Sequence, residues 1–288
     1  MNHHRLRERL ARYRLAASAD ASSQSIADPW PAKVEHLRNL IAARRRRLDG
    51  RRHQSTEIEV GQEIAPGVHL RQRIYDHSLG LPVPPSKLPR DMMLDASLLP
   101  LVAFDTETTG LGSGTGQWVW MIGLLEYRQD QWKLSQWWLS RPGSEGLFLE
   151  AAHESVSRSC TLLSYNGRAF DVPMLRTRHH LHGMHNPFEN KPHLDLLLSV
   201  RRRYRGQWPN CRLATVEREL LDRPRSDDLP GSQAPEAWRQ FLRSGRIQGV
   251  AQVLEHNRMD LESLVHLLGH LASIPDERCL VRMSHACP

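Results

Sequence analysis

Residues 99–110 read LPLVAFDTETTG, and this stretch decides the fold class. The apolar run LPLVAF (99–104) predicts a short buried strand. Asp105, Thr106 and Glu107 follow it directly, and side chains two positions apart in an extended chain point to the same face. We therefore expect the carboxylates of Asp105 and Glu107 to converge at the carboxyl end of the strand, where ligands bind in open α/β sheets.

Paired carboxylates of this kind point to a cation site. Two adjacent anions repel each other unless a cation neutralises them, and hard oxygen ligands suit Mg²⁺ or Mn²⁺. Acidic residues on an ordinary surface give the same short pattern, so Asp105 and Glu107 need the support of further motifs.

The sequence beyond residue 110 predicts an α/β domain. Aromatic runs at 118–127 and 131–139 favour β-structure and predict a hairpin. Further along, the pattern predicts a strand at 161–165 and helices at 146–158, 171–181, 195–203, 213–221, 236–244 and 247–271. Three strands with an antiparallel start, followed by alternating strands and helices, imply a three-layer α/β fold in which a mixed sheet is flanked by helices.

Charge and proline content divide the rest of the 288 residues. Residues 1–53 hold thirteen Lys and Arg against five Asp and Glu, whereas the whole chain has a net charge of +7. We expect a basic, helical or partly disordered arm there, which either contacts a polyanion or is simply solvated. Residues 54–97 combine strand signals at 57–60 and 68–74 with a proline-rich connector, the main domain spans 98–272, and a tail covers 273–288.

Composition also predicts the compartment. No run of about 18 apolar residues is present, so we expect neither a transmembrane helix nor a membrane partner. The basic start lacks the apolar segment of a secretory signal, although it would also suit an organelle transit peptide. Four scattered cysteines without a CxxC pair argue against a zinc ribbon or a disulfide scaffold. We expect a cytoplasmic protein.

Two further motifs contain acidic residues. NGRAFD (166–171) follows a predicted strand, and Asp171 falls at the start of the next predicted helix, where it could equally be an ordinary N-cap. HNRMD (256–260) lies within a predicted helix, where His256 and Asp260, four residues apart, share one face. Such a pair is also a common surface contact. Taken together with Asp105 and Glu107, however, these carboxylates can bind two divalent ions about 4 Å apart.

FDTETTG, YNGRAFD and HNRMD, in that order, resemble the three exonuclease motifs of the DEDD ribonuclease-H-like superfamily. Over residues 98–271 the chain more narrowly resembles the YprB-like ribonuclease-H-like domains. The resemblance implies a ribonuclease-H-like fold and a two-metal 3′→5′ exonuclease acting on DNA or RNA, with two Mg²⁺ or Mn²⁺ ions. It further implies metal ligation by Asp105, Glu107, Asp171 and Asp260, a general-base role for His256 and a supporting polar role for Asn166.

The spacing of His256 departs from the family pattern. In histidine-type DEDD enzymes the base lies five residues before the last Asp, a position that is Glu255 here. Tyrosine-type enzymes place their base four residues before, and this chain has a histidine at that spacing. His256 is therefore either the base or a residue that positions the water or the scissile phosphate.

Candidate substrate contacts lie in or near these motifs. Thr108 lies in the first motif, Asn166 and Arg168 lie in the second, and Arg202 and Tyr204 lie in the basic run RRRYR (201–205). This run could grip a nucleic-acid backbone, with Tyr204 or Trp208 stacking on bases, or could be a solvated helix end. The glycine-rich stretch 110–117 lacks the ending of a phosphate loop and predicts a turn at the rim of the site.

Two other functions compete with an exonuclease. A nucleic-acid-binding protein with a relict nuclease site would use the basic arm without catalysis. A phosphatase that forms an aspartyl-phosphate would use Asp105 as its nucleophile, with Asp227 and Asp228 as a later acidic pair. Glu107 replaces the second Asp of the phosphatase motif, and that interpretation leaves residues 166–171 and 256–260 without a role.

Overall fold

The computed structural model describes residues 59–75, 80–89, 92, 97–110, 116–159, 161–225 and 231–274. The predicted basic arm (1–53), most of the predicted tail, residues 111–115 of the glycine-rich stretch, and Asp227 and Asp228 lie outside these ranges.

The described residues contain one seven-stranded sheet in the order β1-β2-β5-β4-β3-β6-β7. Pairing is parallel between β3 and β6 and between β6 and β7, and antiparallel elsewhere. This is the mixed sheet that the sequence predicts. The strands are β1 (Gln62–Ala65), β2 (Val68–Tyr75), β3 (Leu101–Thr108), β4 (Val119–Arg128), β5 (Gln131–Leu139), β6 (Thr161–Ser164) and β7 (His193–Asp195).

Six α-helices occur in the described ranges. They are α1 (Glu145–Ser157), α2 (Asp171–Leu181), α3 (Leu196–Tyr204), α4 (Leu213–Leu220), α5 (Ala234–Ser244) and α6 (Gln248–Ser273). Each agrees with a predicted helix to within about two residues, because a long periodic pattern locates a helix better than it locates its ends. None of these helices has both the length and the apolar character that a membrane span requires.

Two apolar clusters cover opposite faces of the sheet. Successive side chains of β3 alternate, so that Val102 and Phe104 join one cluster while Leu101 and Ala103 join the other. The first cluster contains side chains of α1, α2, α5 and the start of α6, and the second contains side chains of α3, α4 and the rest of α6. Helices, sheet and helices thus form three layers, and the longest helix contributes to both outer layers.

The sheet extends beyond the boundary that the sequence suggests at residue 98. β2 pairs with β5 along its whole length, from Val68 opposite Leu139 to Tyr75 opposite Trp132, and β1 pairs with β2. Residues 62–75 therefore form one edge of the sheet, and residues 54–97 are not merely a segment that precedes the domain. The strand expected at 57–60 lies further along, at 62–65.

Two other strands differ from the sequence prediction. β3 does not end at Phe104 but continues through Thr108. Asp105 and Glu107 therefore lie within the strand, where both pair with residues of β4. β7 was not predicted, because three residues are too few for a periodic pattern. Its last residue, Asp195, caps α3 by accepting the backbone N–H of Leu197, so the helix begins one residue later than predicted.

Candidate active site

A cleft of about 420 Å³ brings the three motifs together. It opens at the carboxyl ends of the neighbouring parallel strands β3 and β6, and α6 crosses beside it. The five residues predicted to be catalytic all line it, together with two predicted substrate contacts, namely Asp105, Glu107, Thr108, Asn166, Asp171, His256 and Asp260.

An amide of α6 holds the first carboxylate. The Asn257 side-chain amide donates to Asp105 Oδ2 at 2.9 Å and lies 3.4 Å from the Asp105 carbonyl. Asn257 is fully buried and accepts a hydrogen bond of 2.8 Å from Gln136 Nε2, which also donates to the Leu254 carbonyl. The amides of Asn257 and Gln136 are uncharged, so they orient the Asp105 carboxylate without neutralising it.

A glycine makes room for that amide. Gly123 lies opposite Asp105 in β4, and a Cβ atom at Gly123 would lie 2.0 Å from Asn257 Oδ1. This separation is far below any real contact, and the neighbouring atoms are buried. The close approach between β4 and α6 therefore requires a glycine at this position.

Asp171 is the first residue of α2, and the residue at the cap position before it is Phe170. The Asp171 carboxylate accepts a hydrogen bond from the hydroxyl of Thr106, the residue between Asp105 and Glu107 in β3. Asp171 is 6% exposed and lines the cleft, and it is not the N-cap residue of α2.

Asp195 shapes the turn that carries Asn166. Its carboxylate accepts the backbone N–H of Asn166 at 2.7 Å and that of Arg168 at 3.1 Å. Asn166 has a φ of 69°, a left-handed conformation that Asn tolerates better than most residues. At Gly167 a Cβ would lie 2.6 Å from the Ser164 hydroxyl oxygen, so conformation favours Asn at 166 and space requires Gly at 167.

An arginine contacts both functional residues of α6. Arg225 donates to Asp260 Oδ1 through Nη2 and to His256 Nδ1 through Nη1, the latter at 3.2 Å. The same guanidinium is held by Glu217 of α4, with Nε–Oε2 at 2.7 Å and Nη2–Oε1 at 2.5 Å. His256 Nε2 also lies 3.6 Å from Asp260 Oδ2.

Three carboxylates of the cleft have raised pKa values. Burial, followed by the charges of Asp260 and Asp171, raises the pKa of Asp105 well above its usual value. Burial raises the pKa of Asp171 to about 6. Burial also raises the pKa of Asp260, although the charge of Arg225 opposes the shift. Each shift means that burial and like charge disfavour the anions, a cost that a bound cation would offset.

The ligand chemistry of this cleft fits a divalent cation. Its acidic side chains offer only oxygen donors, which Mg²⁺ and Mn²⁺ prefer. Within the described ranges, no three His, Cys, Asp or Glu side chains are already arranged around a common point. The reason is visible in the contacts, because Asp105, Asp171 and Asp260 are each turned onto a protein donor.

Three other predicted substrate contacts do not line this cleft. Arg168 is exposed, and its backbone N–H donates to Asp195. Arg202 is exposed on α3. Tyr204 stacks on Trp208, with ring centroids 4.7 Å apart, and both pack against the second apolar cluster. Thr108 does line the cleft, but its hydroxyl donates to the Gly110 carbonyl at 2.7 Å.

Several residues that support the site were not predicted from the sequence. Asn257 lies inside the HNRMD motif, so its position between His256 and Asp260 was an available signal. Gln136, Glu217 and Arg225 are distant in sequence from the residues they contact, and no local pattern marks them. Arg239 of α5, which also lines the cleft, was missed for the same reason.

The chain is similar to one relative in sequence and to several solved structures in fold. It is 36% identical over 175 residues to the uncharacterized protein YprB of Bacillus subtilis (strain 168), a match that covers 60% of this chain and 42% of YprB. The chain thus spans less than half the length of that relative.

Among solved structures, the family B DNA polymerase of Pyrobaculum calidifontis matches with a TM-score of 0.48 and 15% identity, covering 59% of this chain and 24% of the polymerase. Exonuclease I of E. coli, in a zinc-bound complex with ssDNA, matches with a TM-score of 0.36 and 15% identity, covering 51% of this chain and 41% of the exonuclease.

A family model described as the RNase_H superfamily matches residues 102–272, a range that covers β3 to β7 and the six described helices except for Leu101 and Ser273 at its two ends. The match covers more than half of the chain and contains all three acidic motifs. This chain belongs to the RNase_H superfamily.

Proposed function

We propose that this protein is a metal-dependent 3′→5′ exonuclease that hydrolyses phosphodiester bonds of DNA or RNA. The observation that carries the proposal is the convergence of Asp105, Glu107, Asp171 and Asp260 in one cleft beside His256. These four carboxylates come from three separate motifs of a chain that belongs to the RNase_H superfamily. Surface acids or an ordinary helix cap would give no reason for the three motifs to meet.

The four carboxylates are the groups that would hold two Mg²⁺ or Mn²⁺ ions. When bound, such ions activate a water molecule for attack on phosphorus and stabilise the leaving oxygen. Hydrolysis breaks the bond between phosphorus and the 3′ oxygen of the preceding nucleotide, and releases a nucleoside 5′-monophosphate. His256 acts beside Asp260, at the water or at the phosphate.

Other cleft residues suit a nucleic-acid end. The Tyr165 hydroxyl donates to the Cys211 carbonyl at 2.7 Å, which fixes the Tyr165 ring in the cleft wall. Phe170 lines the cleft as well, and aromatic rings of this kind stack on unpaired bases. Arg239 adds a cation at the cleft, beside Thr109, whose carbonyl lies 3.4 Å from its Nη1. These contacts support a single-stranded 3′ end as the bound form.

One observation favours a second candidate, a nucleic-acid-binding protein with a relict site. Arg225 donates a hydrogen bond to the Asp260 carboxylate, and the exonuclease mechanism needs that carboxylate as a ligand for a cation. The phosphatase interpretation has less support, because Asp171, His256 and Asp260 line the same cleft as Asp105 and that interpretation gives them no role.

The test is digestion of DNA and RNA labelled at the 5′ or the 3′ end, single- and double-stranded, with Mg²⁺ or Mn²⁺. We expect 5′-labelled single strands to shorten progressively from the 3′ end, and Asp105→Ala to abolish shortening while leaving binding largely intact. Internal cuts would contradict the exonuclease but not a nuclease. Binding without any degradation would favour the relict site, and an aspartyl-phosphate trapped on Asp105 would favour the phosphatase.

A further inference from the structure

The Arg225 guanidinium is hydrogen-bonded to the buried carboxylate of Glu217, in addition to its contacts in the cleft. Glu217 is 1% exposed, and both of its oxygens accept from the Arg225 guanidinium, at 2.5 and 2.7 Å. A buried carboxylate is stable only when paired, and a two-point contact of this kind sets the plane of the guanidinium as well as its position. Glu217 and Arg225 therefore form one rigid, neutral unit that faces the cleft.

The side of the guanidinium turned towards the cleft reaches two functional side chains at once. Its Nη2 group contacts Asp260 and its Nη1 group contacts His256 Nδ1 at 3.2 Å. An arginine is always charged and offers only donors. The His256 Nδ1 atom must therefore accept in this contact.

This contact fixes the tautomer of the imidazole. A neutral ring carries one hydrogen, and a ring whose Nδ1 accepts must carry that hydrogen on Nε2. His256 Nε2 lies 3.6 Å from Asp260 Oδ2 and on the side of Gly231, where a Cβ would lie 3.1 Å from it. Both Gly231 and His256 line the cleft, so the ring presents a donor there.

We propose that Arg225 is a positioning residue which holds His256 as the Nε2–H tautomer, so that His256 donates a hydrogen bond to an oxygen of the bound phosphodiester. With its Nδ1 lone pair held by Arg225 and its Nε2 protonated, the ring has no free lone pair for a proton from the attacking water. His256 is thereby a donor to substrate and not the general base that the family resemblance implies. The use of this donor rests on the proposed exonuclease function, whereas the tautomer does not.

The tautomer can be measured without any enzymatic activity. The full chain, labelled with ¹⁵N-histidine, is examined by NMR in mildly alkaline buffer with and without Mg²⁺, and His256→Gln assigns the ring signals. We expect an unprotonated Nδ1 and a protonated Nε2 for His256 in both conditions. Arg225→Met should shift the ring towards a mixture of tautomers, whereas Arg243→Met, which alters an exposed arginine paired with Glu236, should not. A protonated Nδ1 in the wild type, or no change in Arg225→Met, overturns the proposal.

The role at the substrate is tested by two replacements of His256. A glutamine amide can donate from nearly the position of Nε2 but cannot act as a base at neutral pH, and leucine can do neither. We expect His256→Leu to lower kcat by about 10²–10³-fold, as loss of one donor to a developing charge does. His256→Gln should remain about tenfold more active than His256→Leu, the difference that one such hydrogen bond supplies.

Equal activities of His256→Gln and His256→Leu, in a preparation whose wild type degrades substrate, overturn the donor role. If the wild type degrades nothing, the proposed function fails, and the NMR result still decides whether Arg225 sets the tautomer.

Discussion

The two sides of the cleft hold their carboxylates by different means. Asp105 on β3 is held by the uncharged amides of Asn257 and Gln136, whereas Asp260 on α6 is held by the charged pair of Arg225 and Glu217. Both arrangements orient an aspartate, but the donor to Asp105 is an uncharged amide and the donor to Asp260 is a guanidinium.

The difference shows where a cation would gain most. An amide donor leaves the charge of Asp105 in place, and burial together with Asp260 and Asp171 raises the pKa of Asp105 well above its usual value. Arg225 opposes the pKa rise of Asp260 by its charge and by a direct hydrogen bond, whereas it opposes that of Asp105 by its charge alone. We therefore expect the first divalent ion to bind on the Asp105 side of the cleft. We expect Asp260 to become a ligand only when its carboxylate can contact both the ion and Arg225.

The largest effect on stability should follow from removing the carboxylate that pairs with Arg225. Glu217→Ala removes the buried partner of Arg225, and loss of one member of a buried ion pair costs about 3–5 kcal/mol. We expect the free energy of unfolding, measured by urea denaturation, to fall by that amount.

Glu219→Ala is the matched control on the same helix. Glu219 pairs with Arg218, and the two side chains are 34% and 56% exposed, so this pair should contribute only about 0–1 kcal/mol. If the two variants were equally stable, the Glu217–Arg225 pair would not be the rigid support described above.

A third support, beneath the Asn166 turn, should give a pH effect of intermediate size. The Ser164 hydroxyl oxygen accepts the Gly167 N–H at 3.2 Å and lies 2.7 Å from His193 Nε2. Burial lowers the pKa of His193 to about 4. An unfolded histidine binds its proton near pH 6.5, so the unfolded state binds more protons between that pH and about 4. The contribution of His193 to stability is therefore complete above about pH 6.5 and declines as the pH falls, by up to about 3 kcal/mol.

His193→Gln removes this titration. We expect the difference in unfolding free energy between the wild type and His193→Gln to shrink or reverse as the pH falls from about 7 to about 4.5. The aspartates of the cleft, whose raised pKa values act in the opposite direction, are present in both proteins and cancel in the difference. A difference that did not vary with pH would contradict a neutral, buried His193.

The sequence predicted the elements that hold the motifs, because their signals are local. The alternation around Asp105 and the Asn-Gly pair before Asp171 depend only on neighbouring residues, and the structure has a strand and a turn there. The long apolar period of 247–271 likewise corresponds to α6, which carries His256 and Asp260.

The supports of the motifs could not be predicted in this way. Gln136 is 121 residues from Asn257, and Arg225 is 35 residues from Asp260. Each of these contacts is decided by how β5, α4 and α6 pack, and polar residues at such positions look like ordinary surface residues in the sequence. For the same reason, the sequence placed His256 in the site but gave no indication of what its Nδ1 atom contacts.

The smallest expected effect comes from the amide side, through Gly123→Ala. The added methyl group would lie 2.0 Å from Asn257 Oδ1, so Asn257 must move, and with it the amide that orients Asp105. Overpacking of a buried site costs about 1–3 kcal/mol, which urea denaturation would measure. Displacing a residue that orients a metal ligand lowers metal affinity by about 10–100-fold, and titration calorimetry with Mn²⁺ would measure that loss.

Gly143→Ala is the control, because a Cβ there meets nothing within 4 Å and its stability and Mn²⁺ affinity should be unchanged. If Gly123→Ala lost stability but bound Mn²⁺ like the wild type, Asn257 would support the fold and not the orientation of Asp105, and the contrast between the two sides of the cleft would be one of packing alone.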